Sequence, residues 1–556
     1  MAIEDLRAIM PGASALIKAV CDELGVASLI DERVRWDEQQ CKLSPGTRIV
    51  AMIVNALVHR TPLYQVEEFY AGQDVARLFG PGVSAQDFND DALARALDAL
   101  AEAEPRTLFT QLALQAVLRD RIPVKTLHAD TTSRSVYGAY ETYPTQPLHI
   151  THGNSKEHRP DLKQFLFGLV TNAEGFPVAA TVEDGNRSDK SWNQQVLESF
   201  QELLAGHNPD ELTYVADSQL LTPANLQQIA AQKLRFISRL PATYKLEAQL
   251  KEAAWAPWVR GEWQAVGALA ERPKAEQYWV WETEAALYGR RYRFVLVRST
   301  ARDRRREQAL EREVAEEARR LSQAAEALSR QRFACEADAQ AARDRFLAEQ
   351  TPALHTVTAE VRRETVIHRP RGRPRKDAPP PPAQTRFRVA VTVQSPPPER
   401  LQEEMDKRAP FVLITNVPAE ELPAREVLAT YKSQPAVERR FAFLKDPVIV
   451  TGVYLKRPDR AQALAYVFLL ALLVAAFLER RIRHALQAEH DTLVVPGQRA
   501  TDRPTIQSIL ELFRSLQIVL VDTGQTVQRV LPRNTNPQIL KVLRLAGYSE
   551  TLYTER

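Results

Sequence analysis

Cysteine is scarce in this 556-residue chain. Only Cys21, Cys41 and Cys335 occur, far apart and in no CxxC pair or Cys/His cluster. That argues against a disulfide framework or a structural zinc site and suits a reducing, cytoplasmic setting. An excess of charge is lacking too: 73 Lys and Arg against 70 Asp and Glu leave a net +3. No global basic field announces nucleic acid, so binding of that kind has to come from local patches. The opening MAIEDLRAIM mixes charges and has no apolar centre, so no secretory signal is expected. Long apolar runs are rare as well. Ala461–Leu478 has no charged residue and sits near the lower length limit for a membrane span. It stands alone and follows closely on a polar helical stretch, so the expectation is a helix buried in a large core, with no membrane partner. With 44% hydrophobic residues the chain can bury sizeable cores, and its length suggests roughly three or four domains.

What is present centres on Tyr431–Lys445, YKSQPAVERRFAFLK. At about 100° per residue, an ideal helix puts Tyr431, Gln434, Glu438 and Lys445 in one narrow stripe, with Val437, Phe441 and Leu444 on a buriable flank. A carboxylate in line with a phenol, an amide and an amine is what a phosphate-handling site needs: one group to hold a metal ion, others to hold a phosphate backbone. An ordinary amphipathic helix with solvated charges has the same pattern. Pro435 lacks an N–H and marks a first turn or a kink.

Residues 1–122 read as helical, with apolar residues at helical spacing in ASALIKAVCDEL, SPGTRIVAMIVNALV and FNDDALARALDALAE. Ser44-Pro45 and Asn89-Asp90-Asp91 are cap signals. From 123 the pattern changes. VKTLHAD (124–130), FLFGLVT (165–171), PVAATVE (177–183), ELTYVAD (211–217) and LRFISRL (234–240) read as strands. Asn172–Gly175 is a hairpin signal, and TPANLQQIAAQ reads as a capped helix. Asp130 and Asp217 each close a strand-like run. Alone, either is a turn-former; on adjacent strand ends of a mixed sheet, the two carboxylates can share a metal ion.

After Leu240 this pattern is interrupted. EQYWVWETE and RRYRFVLVRS flank Tyr288-Gly289 as a hairpin. Arg302–Gln350, without Gly or Pro, reads as a long helix or helical hairpin whose Val314, Leu321 and Leu328 recur at heptad spacing, a pattern open to self-association. Pro370-Arg371-Gly372-Arg373-Pro374 reproduces the core of an AT-hook, which would put Arg371 and Arg373 in a narrow minor groove. A basic, Pro-rich linker reads equally well there. RFRVAVTV (386–393) and FVLITN (411–416) resume as strands. Lys456, Arg457 and Arg460 are candidate phosphate contacts, with solvated surface charge as the alternative.

These stretches together resemble a family, the bacterial insertion-sequence DDE transposases of the insertion-sequence-four-like group. Tyr431, Glu438 and Lys445 match its Y-x2-R-x3-E-x6-K signature, with Gln434 where the family has Arg. HADTTSRSVYG and YVADSQLLTPANL resemble the first- and second-Asp motifs. GNSKEHRPDLKQFLFGLVTNAEGFPV and GNRSDKSWN resemble segments that follow the first. The resemblance implies an α/β RNase H-like core in two parts, 123–240 and 408–490, split by a β/helical insertion at 241–407. An end-binding helical domain would precede it at 1–122 and a mostly helical region follow at 491–556. It implies that Asp130, Asp217 and Glu438 hold two Mg²⁺ ions, which Mn²⁺ can replace. Tyr431, Gln434 and Lys445 would grip the DNA backbone, and a homodimer would act on paired transposon ends. A nuclease of the same fold without strand transfer, or an inactive DNA-binding protein, are the alternatives.

Overall fold

Backbone hydrogen bonding sorts the chain into helices and a large mixed sheet. In the computed structural model, residues 5–141, 146–203, 212–269, 275–301, 304–367, 383–445, 455, 457–524 and 526–555 are described. They fall into two compact units. The first comprises Met1–Arg239, Ala285–Arg293 and Ile414–Arg556; the second comprises Leu240–Glu284 and Phe294–Leu413.

The first unit opens with a strand, β1 (Asp5–Ile9), followed by α1 (Ser14–Glu23), α2 (Val26–Arg33), α3 (Pro45–Val58), α4 (Val66–Ala71), α5 (Val75–Phe79), α6 (Asp90–Glu102) and α7 (Pro105–Arg119). The cap signals act as written. Ser44 Oγ accepts from Thr47 N with Pro45 at the first helical position, and Asn89 Oδ1 accepts from Ala92 N. Each satisfies an amide that has no partner inside its helix.

The sheet of this unit runs in the order β4 (Pro177–Glu183), β3 (Lys163–Asn172), β2 (Thr126–Val136), β5 (Thr213–Ala216), β6 (Arg235–Arg239). β2, β5 and β6 are mutually parallel, while β3 and β4 are antiparallel. The β3–β4 turn is set locally: Asn172 Oδ1 accepts from Glu174 N and Phe176 N, and Gly175 has φ +78°. α8 (Asp189–Leu203) and α9 (Pro223–Ala231) complete this stretch, α9 capped by Thr222 as its sequence predicts. α8 lies close on the sheet because Gly168 of β3 leaves room for Trp192. A Cβ there would meet the indole nitrogen at 2.3 Å. Trp192 Nε1 donates to Thr181 Oγ1 at 2.9 Å, and Tyr214 Oη donates to Asn193 Oδ1 at 2.6 Å.

The next stretch holds α10 (Lys245–Val259), β7 (Gln264–Ala268), β8 (Gln277–Leu287), β9 (Arg290–Ser299), α11 (Arg304–Ser329), α12 (Glu336–Glu349), β10 (Thr356–Ile367), β11 (Ala383–Gln394), α13 (Pro398–Arg408) and β12 (Phe411–Thr415). β8 and β9 pair around Tyr288 (φ +51°) and Gly289 (φ +77°), a turn whose twist suits a hairpin. Within the second unit, Leu321 and Leu328 of the α11 heptad stripe turn inward, while Val314 is half-buried. Leu328 packs with Phe346 of α12 and Val389 of β11, and Leu321 is fully buried. The stretch is a helical hairpin lying on a β-hairpin, and the stripe read as open to self-association is used inside the chain. The AT-hook-like Arg371 and Arg373 lie outside the described residues.

Back in the first unit, the end of β12 runs beside β6: Thr415 Oγ1 donates to Phe236 O at 2.6 Å and Asn416 Nδ2 to Leu234 O at 2.8 Å. Then come α14 (Ala424–Lys432), α15 (Pro435–Lys445) and α16 (Pro458–Ala488). α16 is long and apolar enough to cross a membrane, yet 94% of its most apolar window is buried. It packs on α3, α6, α7 and β4 as the central helix of this unit. The remainder is β13 (Leu493–Val495), β14 (Arg499–Thr501), α17 (Ile506–Leu512), β15 (Ile518–Asp522), β16 (Val527–Val530), α18 (Pro537–Leu545) and α19 (Thr551–Thr554). β15 pairs with β1 from Asp5↔Asp522 to Ile9↔Ile518. Tyr553 Oη donates to Gly12 O at 3.0 Å, so the last residues close onto the first helices.

Candidate active site

The acidic site forms where one strand outruns its neighbour. The parallel β2–β5 ladder ends at Ala129↔Ala216, and the next residue on each strand is an aspartate, Asp130 or Asp217. Asp217 follows β5 and caps the turn Ser218–Leu220 through Gln219 N. Asp130 was expected at a strand end, but β2 continues to Val136 because β3 pairs with it as far as Val136↔Lys163. The carboxylate therefore projects from mid-strand, beside the gap left when β5 stops.

Burial is the main cause of an Asp130 carboxyl pushed up to about 6. The Asp217 and Asp189 charges push the same way, against Lys156 and the Thr131 amide, which donates to Oδ1 at 2.7 Å. Asp217 is raised as well, by burial first and then by Asp189, while the Gln219 amide and Lys156 oppose.

Two residues complete this pocket that were not singled out in the sequence, Asp189 at the start of α8 and Lys156 on the loop before β3. Thr131 Oγ1 donates to Asp189, and Lys156 Nζ stands 3.2 Å from Asp189 Oδ2 and 3.6 Å from Asp130 Oδ1. Their only sequence signal was their place in GNSKEHRPDLKQ and GNRSDKSWN.

The signature stretch is two helices, which corrects the single stripe. α14 ends at Lys432, Ser433 and Gln434 turn, and Pro435 opens α15. The break is held from the sheet: His128 Nε2 meets Ser433 Oγ at 2.9 Å, and that hydroxyl also donates to Thr430 O. Burial takes the His128 pKa down to about 4, so the ring is neutral there at pH 7.

Tyr431 is half-buried at the end of α14. Burial raises its pKa; Arg239 lowers it by charge and a hydrogen bond, and Asp217 and Glu438 raise it by charge. The phenol thus stands within the field of both carboxylates. Glu438 is exposed on the first turn of α15, and Gln434 is half-buried in the turn. Lys445 closes α15. Its pKa is lowered by burial, with Glu157 and Asp130 raising it and Lys156 and Arg134 adding to the lowering. Arg134 Nη1 donates to Lys445 O at 3.2 Å, fixing this end of the helix to β2.

Arg460 is engaged elsewhere. Its guanidinium is bidentate to Asp98 of α6, at 2.7 and 2.6 Å. Lys456 lies outside the described residues.

Among the described residues, no three of His, Cys, Asp or Glu converge tightly enough to hold a metal ion by themselves. The pair Asp130 and Asp217 still fits a hard divalent cation. It is oxygen-only, its like charges disfavour double ionisation without a cation, and a cationic ammonium already sits against it.

A mixed α/β core carrying a cation-seeking acidic pair, with lysines at its rim, is the class of site this chain presents. Residues 145–474, more than half of the chain, match the model of the transposase DDE domain, and the chain belongs to that family. Asp217 and Glu438 fall inside the matched range and Asp130 just before it. Residues 12–114 match a model described as a domain of unknown function, DUF4277. No curated protein is a significant match. Among solved structures, a piggyBac transposase synaptic complex with hairpin DNA is similar at 8% identity and TM-score 0.38, covering 89% of this chain and 79% of that one. A Mos1 transposase paired-end complex with the left transposon end is similar at 12% identity and TM-score 0.15, covering 36% and 64%.

Proposed function

We propose that this transposase cuts DNA at the ends of an insertion sequence and joins the cut ends to target DNA, on an RNase H-like core. The strand order β4-β3-β2-β5-β6, with the last three parallel, supports that core. The observation that carries the site is the pair Asp130 and Asp217, one residue past the last rung of the β2–β5 ladder. In this reading Glu438 is the third carboxylate; its charge, like that of Asp217, raises the Tyr431 pKa. Mg²⁺ held by these three would supply the charge that activates an attacking oxygen and stabilises a leaving one.

The chain's own groups do the positioning. Lys445, whose charge is felt by Asp130, would hold a phosphate oxygen, and Tyr431, which feels the charges of Asp217 and Glu438, would add a phenol donor. Gln434, in the turn between them, supplies an uncharged donor. No covalent protein nucleophile is needed, because such transfer rests on positioning and charge stabilisation. Two copies would act on paired ends. Incubating the protein with pre-cut element ends and a supercoiled plasmid tests strand transfer. Joined products support it, whereas cleavage without joining indicates a nuclease of the same fold.

A further inference from the structure

We propose that Lys156 is the built-in counter-cation of the acidic pocket, a positioning residue that competes with a divalent metal ion for Asp130 and so sets the metal affinity of the site. This rests on the reading of Asp130 and Asp217 as metal-holding residues.

The ammonium is surrounded by oxygen. Nζ donates to Thr131 O and Thr131 Oγ1, each at 2.8 Å, and lies 3.2 and 3.4 Å from the two Asp189 oxygens and 3.6 Å from Asp130 Oδ1. This is an all-oxygen seat shared between a strand, β2, and the first residue of a helix, α8. The loop that brings Lys156 there is stapled to β2. Lys156 N donates to Ser133 Oγ at 2.7 Å, and Ser135 N donates to Glu157 Oε2 at 2.8 Å. Arg134 pairs with the same Glu157 at 3.4 Å. The root of the side chain is thus fixed, and its position against the carboxylates follows from the backbone.

A divalent ion on Asp130 and the ammonium on the same carboxylate repel each other at short range. The lysine stem is flexible enough to yield, but yielding gives up its contacts with Asp189 and Thr131. Metal affinity is therefore lower than the carboxylates alone would give, because the protein's own cation already offsets part of their charge.

Mn²⁺ binding to the full chain without DNA, followed by electron paramagnetic resonance and by thermal shift, tests this independently of activity. Lys156→Met should bind Mn²⁺ about tenfold more tightly, the effect of removing one nearby like charge. Its melting temperature should rise more on adding Mn²⁺ than that of the wild type. Lys156→Arg should behave as wild type. Equal or weaker Mn²⁺ binding by Lys156→Met overturns the proposal, and so does an equal thermal response. Asp217→Asn separates the two readings. If it weakens Mn²⁺ binding while Lys156→Met changes nothing, the metal site stands and the counter-cation role falls. If Asp217→Asn has no effect, the metal site itself is wrong.

Discussion

Glu479 should be among the costliest single positions to change in the first unit. It lies on α16 and is only 4% exposed, and its carboxylate takes three donors. Arg440 of α15 and Arg483 of α16 each reach Oε1 at 2.9 Å, and the amide of Ile506, which opens α17, donates to Oε2 at 2.8 Å. Arg440 is 8% exposed, and its Nε donates to Gly175 O at 2.7 Å. Glu479→Met keeps the volume but strands the Arg440 guanidinium in the core, a loss of about 3–5 kcal/mol for a broken buried pair. Arg440→Met should cost less, about 2 kcal/mol, because Arg483 still neutralises the carboxylate. The two changes should be non-additive, since the double variant leaves no stranded charge at Arg440. Urea unfolding of both single variants and the double variant, followed by circular dichroism, measures all three terms. Arg440 is two residues from Glu438 on the same helix, so nicking should fall in both single variants as well. A Glu479→Met loss below about 1 kcal/mol, or strict additivity, would refute the anchoring role.

Other expectations follow from the same structure. Mn²⁺ affinity should climb with pH until about 6 and then level, because the raised Asp130 carboxyl must lose its proton to bind a cation; a flat titration between pH 5 and 7 contradicts this. The matching stability effect has a definite sign. A folded pKa above the unfolded value favours the folded state at low pH, and that contribution is lost as pH rises through about 6, so a metal-free sample should lose the Asp130 contribution from the ordinary carboxylate range up to about 6, which urea unfolding across pH would read. The protein should be recovered without detergent, since α16 is a core helix; recovery only in the membrane fraction overturns that assignment. Leu328→Ala should cost about 2–5 kcal/mol through a cavity in the second unit and leave the oligomeric state unchanged by light scattering. A shift to smaller assemblies would return the heptad stripe to self-association.

The features legible in the sequence were those with a local cause. Asn172–Gly175, Thr222-Pro223, Ser44-Pro45 and Tyr288-Gly289 carry their turn or cap chemistry within a few residues, and each formed as read. Pro435 likewise announced the break that splits the signature stretch. The uncharged run at 461–478 looked like a membrane span by composition, and its isolation beside a polar helical stretch pointed to burial instead. What escaped depended on distant partners. β1 exists because β15, at the other end of the chain, pairs with it. Asp130 sits mid-strand because β3 is longer than β5. Arg460 meets an Asp98 that lies 362 residues away. Lys156 and Asp189 reach the site through a stapled loop and through a helix set close by Gly168, and neither follows a spacing rule. The residues that reach Asp130 and Asp217 are therefore only partly those expected.

The most direct test uses labelled DNA carrying the element's own terminal repeat, incubated with and without Mg²⁺ beside Glu438→Gln. Nicking at the repeat boundary that requires Mg²⁺ and vanishes in the variant is the predicted result. Specific binding without cleavage by the wild-type protein, or cleavage that survives Glu438→Gln, would contradict a transposase acting through these three carboxylates.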